Sequence, residues 1–180
     1  MAEALIIVDF QNDFTPPGGA LAVPDGDGIA ERLNELARDE RFAVVLATRD
    51  SHPADHSSFL ASGGPWPAHC VQGTPGAELH PALDRSLIDA VVDKGQSVDG
   101  DGYSAFESPE LGLLLREEQV TGVTIVGLAT DYCVLNTARD ALREGFTVAV
   151  DRSAVRAVDA EPGDGERALE ALRGLGVIVG

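Results

Sequence analysis

The chain is short of positive charge. It has 13 Lys and Arg against 30 Asp and Glu, a formal charge of -17 over 180 residues. A surface with that excess repels nucleic acid and anionic membranes, so neither is expected as a partner. Long hydrophobic runs are missing too. None approaches the roughly 18 apolar residues of a membrane span, and no basic segment leads an apolar one as in a signal peptide. The expectation is a cytoplasmic protein. The only two cysteines, Cys70 and Cys133, are too few for a disulfide framework. The familiar cofactor and nucleophile fingerprints are absent as well. There is no GxGxxG after the first apolar run, no GxxxxGK[ST] and no GxSxG elbow. Dinucleotide, phosphate-loop and serine-elbow chemistry therefore lack support.

What is present alternates. Apolar residues make up 44% of the chain, enough at this length for one core without staples. Short continuous apolar runs at 4–8, 42–48, 86–92, 120–128, 146–150 and 177–179 suit buried parallel strands. Between them, 28–41, 109–118, 134–144 and 163–173 carry helical spacing with a polar opposite face. The pattern predicts a single α/β domain over residues 1–180. Its fold would be doubly wound, with a mostly parallel six-stranded sheet and helices on both faces. The segment 49–81 has no clear periodicity and holds all four histidines. Long stretches of that kind in a compact domain are often functional.

In open parallel sheets the ligand crevice lies beyond the carboxyl ends of the strands. Asp9, Asp50 with His52, Lys94, and the run Asp131 to Cys133 all stand at such ends, so one sheet edge gathers them. Cys133 follows a strand and opens a helix. Free amides and the helix dipole there favour thiolate and lower a thiol's pKa, and amides of the same turn suit an oxyanion. The alternative is an inert buried cysteine. A carboxylate ending an apolar strand is desolvated toward a useful base, which makes Asp9 the candidate proton acceptor. Lys94 would then stabilise developing negative charge. Taken singly, Asp9 reads as a turn cap for the amides of Gln11 and Asn12, and Lys94 as a surface lysine. Their convergence on one edge with a thiol favours chemistry.

Asp50, His52, His56 and His69 form a second constellation. A carboxylate with two or three imidazoles is a competent ligand set for a divalent transition metal, with zinc, iron and manganese all acceptable. Isolated Asp-x-His is weak, but three of the four histidines fall within 52–69. His80, beside Pro81, reads as a loop residue. Phe14, Trp66 and, more weakly, Tyr103 are placed to line a pocket for a flat ligand, with ordinary packing as the default for each.

The stretches VDFQNDF, ATRDSHP, WPAHCVQGTPGAEL, VVDKG, YSAFE and GLATDYCVLNTARDA run in one order along nearly the whole chain. Together they resemble the nicotinamidase (pyrazinamidase-like) branch of the isochorismatase-like cysteine hydrolases. The resemblance implies an Asp9, Lys94 and Cys133 triad. It implies metal ligation by Asp50, His52 and His69, with waters completing the shell. His56 stands where some members place a further histidine near the metal. It also implies a cis peptide before Ala129, an oxyanion hole from the amides of Ala129 and Cys133, and a ring pocket lined by Phe14, Trp66 and Tyr103. The implied small-molecule substrate is nicotinamide, hydrolysed to nicotinate and ammonia. Rival expectations are a same-fold hydrolase of another amide, a carbamoyl compound or isochorismate; a binding protein with a dead site; and a metal-storage or sensing protein. The sequence leaves a homo-oligomer open.

Overall fold

The strand-forming runs assemble into one six-stranded sheet in the computed structural model, which describes residues 2–180. The strands are β1 (Ala2–Val8), β2 (Phe42–Asp50), β3 (Ala90–Lys94), β4 (Val120–Leu128), β5 (Thr147–Arg156) and β6 (Ile178–Val179). Their order is β3-β2-β1-β4-β5-β6, and every recorded pairing is parallel. The sheet is thus wholly parallel. The apolar runs explain this: the central residues of β1, Ala4 to Val8, are buried without alternation, as strands covered on both faces must be.

The helices are α1 (Ala30–Ala37), α2 (Pro109–Glu117), α3 (Leu135–Arg143) and α4 (Asp164–Gly174). They divide unevenly between the faces. Leu111 and Leu115 of α2, Ala138 and Ala141 of α3, and Leu169 and Leu172 of α4 pack with Ala4, Ile6 and Val8 on one face. Each fully buried leucine of this kind contributes about 1.5–3 kcal/mol. The other face, with Leu5 and Ile7, receives only α1 through Leu33 and Leu36. The remaining cover comes from irregular chain, including Phe10, Phe14, Val23, Cys70, Leu79 and Leu83. The β2–β3 connection thus replaces a crossover helix with short 3₁₀ turns at 60–62, 75–77 and 85–87.

Three boundaries differ from the sequence expectation. The third strand is Ala90–Lys94 rather than 86–92, because Arg85–Leu87 form a turn whose cap is Asp84, accepting from the Ser86 amide. Lys94 is therefore the last strand residue, paired in register with Asp50. The fifth strand runs on to Arg156, past a register shift beside Ile125–Gly127. Before α3 lies a π-helical turn, Thr130–Val134, of the sort that often marks functional positions. Among the described residues no helix is long and apolar enough to cross a membrane.

Candidate active site

The strand order turns at β1, which has β2 on one side and β4 on the other. That switch point is where ligands bind in open α/β sheets. The β1–β4 register pairs Val8 with Gly127, so Asp9 and the Ala129 turn leave the sheet side by side. Gly127, at φ +107, approaches Val8 so closely that any Cβ would strike the Val8 backbone. The contact explains glycine there. The Leu128–Ala129 peptide is cis, and Asp9 itself has φ +48.

Asp9 is not a turn cap. The Gln11 amide bonds to the Asp9 carbonyl instead and the Asn12 amide to Glu78, while the Asp9 side chain points into the protein. Its Oδ1 accepts from Thr48 Oγ1 at 2.7 Å. Its Oδ2 lies 2.8 Å from Lys94 Nζ as a buried ion pair. Lys94 is no surface lysine either; its side chain is 0% exposed. The same Nζ reaches Asp50 Oδ1 at 2.5 Å, the Gly102 carbonyl at 2.6 Å and Cys133 Sγ at 3.6 Å. One ammonium thus touches two carboxylates and the thiol.

The charges follow from this packing. Burial, helped by the Asp50 charge and opposed by Lys94, pushes the Asp9 carboxyl up to about 6. Burial also acts on Asp50, but Lys94 and His52 together outweigh it and hold that carboxyl well below the ordinary range. Lys94 is stabilised as the cation, because its anionic neighbours overcome its burial. The Cys133 thiol is raised well above its usual value, foremost by burial and then by Asp9 and Asp50 against Lys94. This corrects the expectation of a lowered thiol pKa. The helix-terminus effect is worth about 0.3–1 kcal/mol when exposed, and it loses to desolvation beside two carboxylates. Buried beside two carboxylates, the thiol favours its neutral form.

The metal-ligand candidates meet a few ångströms away. Donor atoms of Asp50, His52 and His69 all lie within 4.8 Å of one another, in a buried cluster. The far nitrogen of each ring is fixed. His52 Nδ1 bonds the Gly95 carbonyl at 2.8 Å, and His69 Nδ1 bonds the Pro67 carbonyl at 2.8 Å. Carbonyl partners of that kind turn Nε2 toward an ion site, and His52 Nε2 lies 3.3 Å from Asp50 Oδ2. Gly95, at φ +64, and Gly102 cradle the His52 ring where a Cβ would collide with it. Burial lowers the pKa of the His69 imidazole, which favours the neutral form that ligates. His56 stacks on His52 with ring centroids 4.1 Å apart, and its buried Nε2 lacks a partner among the described residues. The three-residue cluster does not include it. These residues fit a divalent metal ion.

Phe14, Trp66 and Tyr103 do line a common pocket with Asp50, His69 and Cys133. Trp66 Nε1 donates to Tyr103 Oη at 3.1 Å, and Phe14 leans on the His69 ring at 5.5 Å. His80 stands apart, edge-on to Phe10. Sequence reasoning missed Tyr132, whose ring meets both Trp66 and Tyr103, and the aliphatic walls Leu21, Val23 and Val158. It also missed Thr48 and the buried Gln11. The Gln11 amide group clamps both backbone atoms of Asp50, each at 2.8 Å. An aromatic residue next to the candidate nucleophile was the one available signal for Tyr132.

The chain is similar to known proteins along nearly its whole length. The isochorismatase domain family matches residues 3–180. The chain is 39% identical to the nicotinamidase of Escherichia coli, over 96% of this chain and 92% of that protein. It is 46% identical to the nicotinamidase/pyrazinamidase of Mycobacterium tuberculosis, over 82% of each. A crystal structure of Pyrococcus horikoshii pyrazinamidase in complex with zinc superposes with a TM-score of 0.91 at 47% identity, covering 100% of this chain and 99% of that one.

The chain belongs to the isochorismatase family.

Proposed function

We propose that this member of the isochorismatase family is a single-domain amidohydrolase that cleaves the carboxamide of nicotinamide, giving nicotinate and ammonia. The observation that carries the reading is the contact set of Lys94: Asp9 at 2.8 Å, Asp50 at 2.5 Å and Cys133 Sγ at 3.6 Å, at the switch point of the sheet. A buried thiol with a buried base and a fixed cation is the arrangement nucleophilic amide cleavage requires.

The raised pKa of Asp9 makes it a suitable acceptor for the Cys133 proton, since a base works best when poised near the operating pH. The thiolate attacks the carboxamide carbon, and the amides of Ala129 and Cys133 hold the oxyanion. Asp9 returns the proton to the departing nitrogen, ammonia leaves, and a thioester remains on Cys133. A water then gives its proton to Asp9 and attacks the thioester carbon. Collapse expels the sulfur, which recovers the proton, and nicotinate departs. Lys94 stays cationic throughout, so Asp9, Lys94 and Cys133 titrate as one coupled set.

Asp50, His52 and His69 would hold the metal, with His56 beside them. When bound, the metal offers a Lewis-acid point that orients the pyridine nitrogen. The zinc complex of the Pyrococcus horikoshii relative supports a divalent metal here. The three-donor set and the aromatic walls Phe14, Trp66 and Tyr103 favour a flat pyridine amide over a carbamoyl compound or isochorismate. Two buried, unpaired cysteines suit a reducing compartment, and the activity is assigned to the cytoplasm.

The test is ammonia release from nicotinamide by the purified protein, before and after chelation, with Cys133→Ala beside it. Release that vanishes in the variant and falls on chelation is expected. No release with zinc, iron or manganese restored would overturn the assignment.

A further inference from the structure

The pocket has a wall that no motif supplies. Val158 lines it from the loop between β5 and α4, and that loop is tied to the nucleophile's own turn. Asp131, two residues before Cys133, accepts the Val158 amide on Oδ1 and the Asp159 amide on Oδ2, both at 2.9 Å. Asp159 in turn accepts the Gly165 amide at 2.8 Å. On the far side Gly165 packs so closely that a Cβ would meet the Ala157 Cβ at 2.5 Å. The loop is therefore held from both ends, and Val158 cannot retreat without breaking charge-assisted bonds.

The aromatic walls Trp66, Tyr103 and Tyr132 come from three separate segments, with one side-chain hydrogen bond among them, at 3.1 Å. The cavity among these walls is small, about 40 Å³, so a ring seated there lies in contact with them. The two Asp131 bonds hold Val158 among these walls.

We propose that Val158 is a specificity-determining residue for ring substituents, and that Asp131 is the positioning residue that holds it against the pocket. The proposal rests on the pyridine-amide reading above. One methylene in such a pocket is worth about 10–200-fold in selectivity, so side-chain size at 158 decides whether a methylated ring is accepted.

The experiment measures kcat and KM for nicotinamide, 5-methylnicotinamide and 6-methylnicotinamide in the metal-loaded wild type, Val158→Ala, Val158→Leu, Asp131→Asn and the Val158→Ala/Asp131→Asn double variant. Val158→Ala is expected to raise the kcat/KM of at least one methylated amide relative to nicotinamide by about tenfold, and Val158→Leu to lower it. Asp131→Asn should act mainly on KM, and the Val158→Ala effect should shrink at least threefold in its background, since the two changes share one wall. Iodoacetamide labelling of Cys133 and metal content report whether each variant keeps its site; should Val158→Leu not fold, the Val158→Ala ratio decides. Ratios within threefold of wild type would overturn the specificity role. Additive effects of the two substitutions would overturn the positioning role of Asp131. Absence of ammonia from all three amides with wild type would instead sink the amidase reading itself.

Discussion

Asp9 and Cys133 reach the site from the ends of β1 and β4, adjacent central strands in parallel register, whereas His52, His56 and His69 reach it from a connection without an α-helix. On the first side position follows from the sheet: strands buried on both faces fix register, and register fixes what emerges at the edge. On the second side position follows from side-chain bonds. The carbonyls of Gly95 and Pro67 orient two imidazoles, and Asp13 holds the Cys70 amide at 2.7 Å next to His69. The two sides meet at Asp50 and Lys94, strand-end partners that share an ion pair. A regular element can place one residue accurately. Gathering several ligands about one point takes chain that can bend.

Substitutions that remove one side should therefore leave the other standing. Cys133→Ala is expected to abolish ammonia release, by about four orders of magnitude or more, while metal content by elemental analysis stays at the wild-type level. Lys94→Met breaks the comparison at its joint. It strands two buried carboxylates, so it should eliminate activity and cost about 3–5 kcal/mol in a denaturant melt. His69→Ala should lose the metal and at least the roughly 10–100-fold in rate that removal of an outer-shell partner costs. Alkylation of Cys133 should proceed in that variant as before.

The smallest effects are those of pH, and they have opposite signs at the two carboxylates of Lys94. Asp9 must be ionised to accept the thiol proton, so kcat/KM should fall on the acid side near pH 6. Its raised value means that the folded form holds a proton the unfolded chain has released. This group therefore lowers stability as pH rises from about 4 to about 6, and Asp9→Asn should flatten that slope in pH-dependent melts. Asp50 is depressed instead. Its contribution is present above the ordinary carboxylate value and is lost as pH falls below it. A melt series showing the same sign for Asp9→Asn and Asp50→Asn would refute this division.

Much of the sheet side was legible in the sequence. β4 appears at the expected bounds, and Asp9, Lys94 and Cys133 are brought into contact, because apolar runs name buried strands and a parallel sheet has one functional edge. In the histidine segment only residue type was legible: clustered Asp and His mark a candidate ligand set, but no periodicity reveals the turns that converge them. Three features escaped for physical reasons. The thiol's raised pKa depends on burial beside Asp9 and Asp50, which no local motif reports. The third strand began late because the Asp84 cap takes Ser86 into a turn. Tyr132 and Val158 act as walls only through contacts between distant loops, as do the bonds of Asp131 to the 158–159 backbone.

The most direct measurement of the central claim is acid quenching of metal-loaded protein during turnover of nicotinamide, followed by mass analysis of the peptide that carries Cys133. The account predicts a nicotinoyl thioester on that peptide in wild type and none in Cys133→Ala. Ammonia release without any adduct, undiminished in Cys133→Ala, would contradict it.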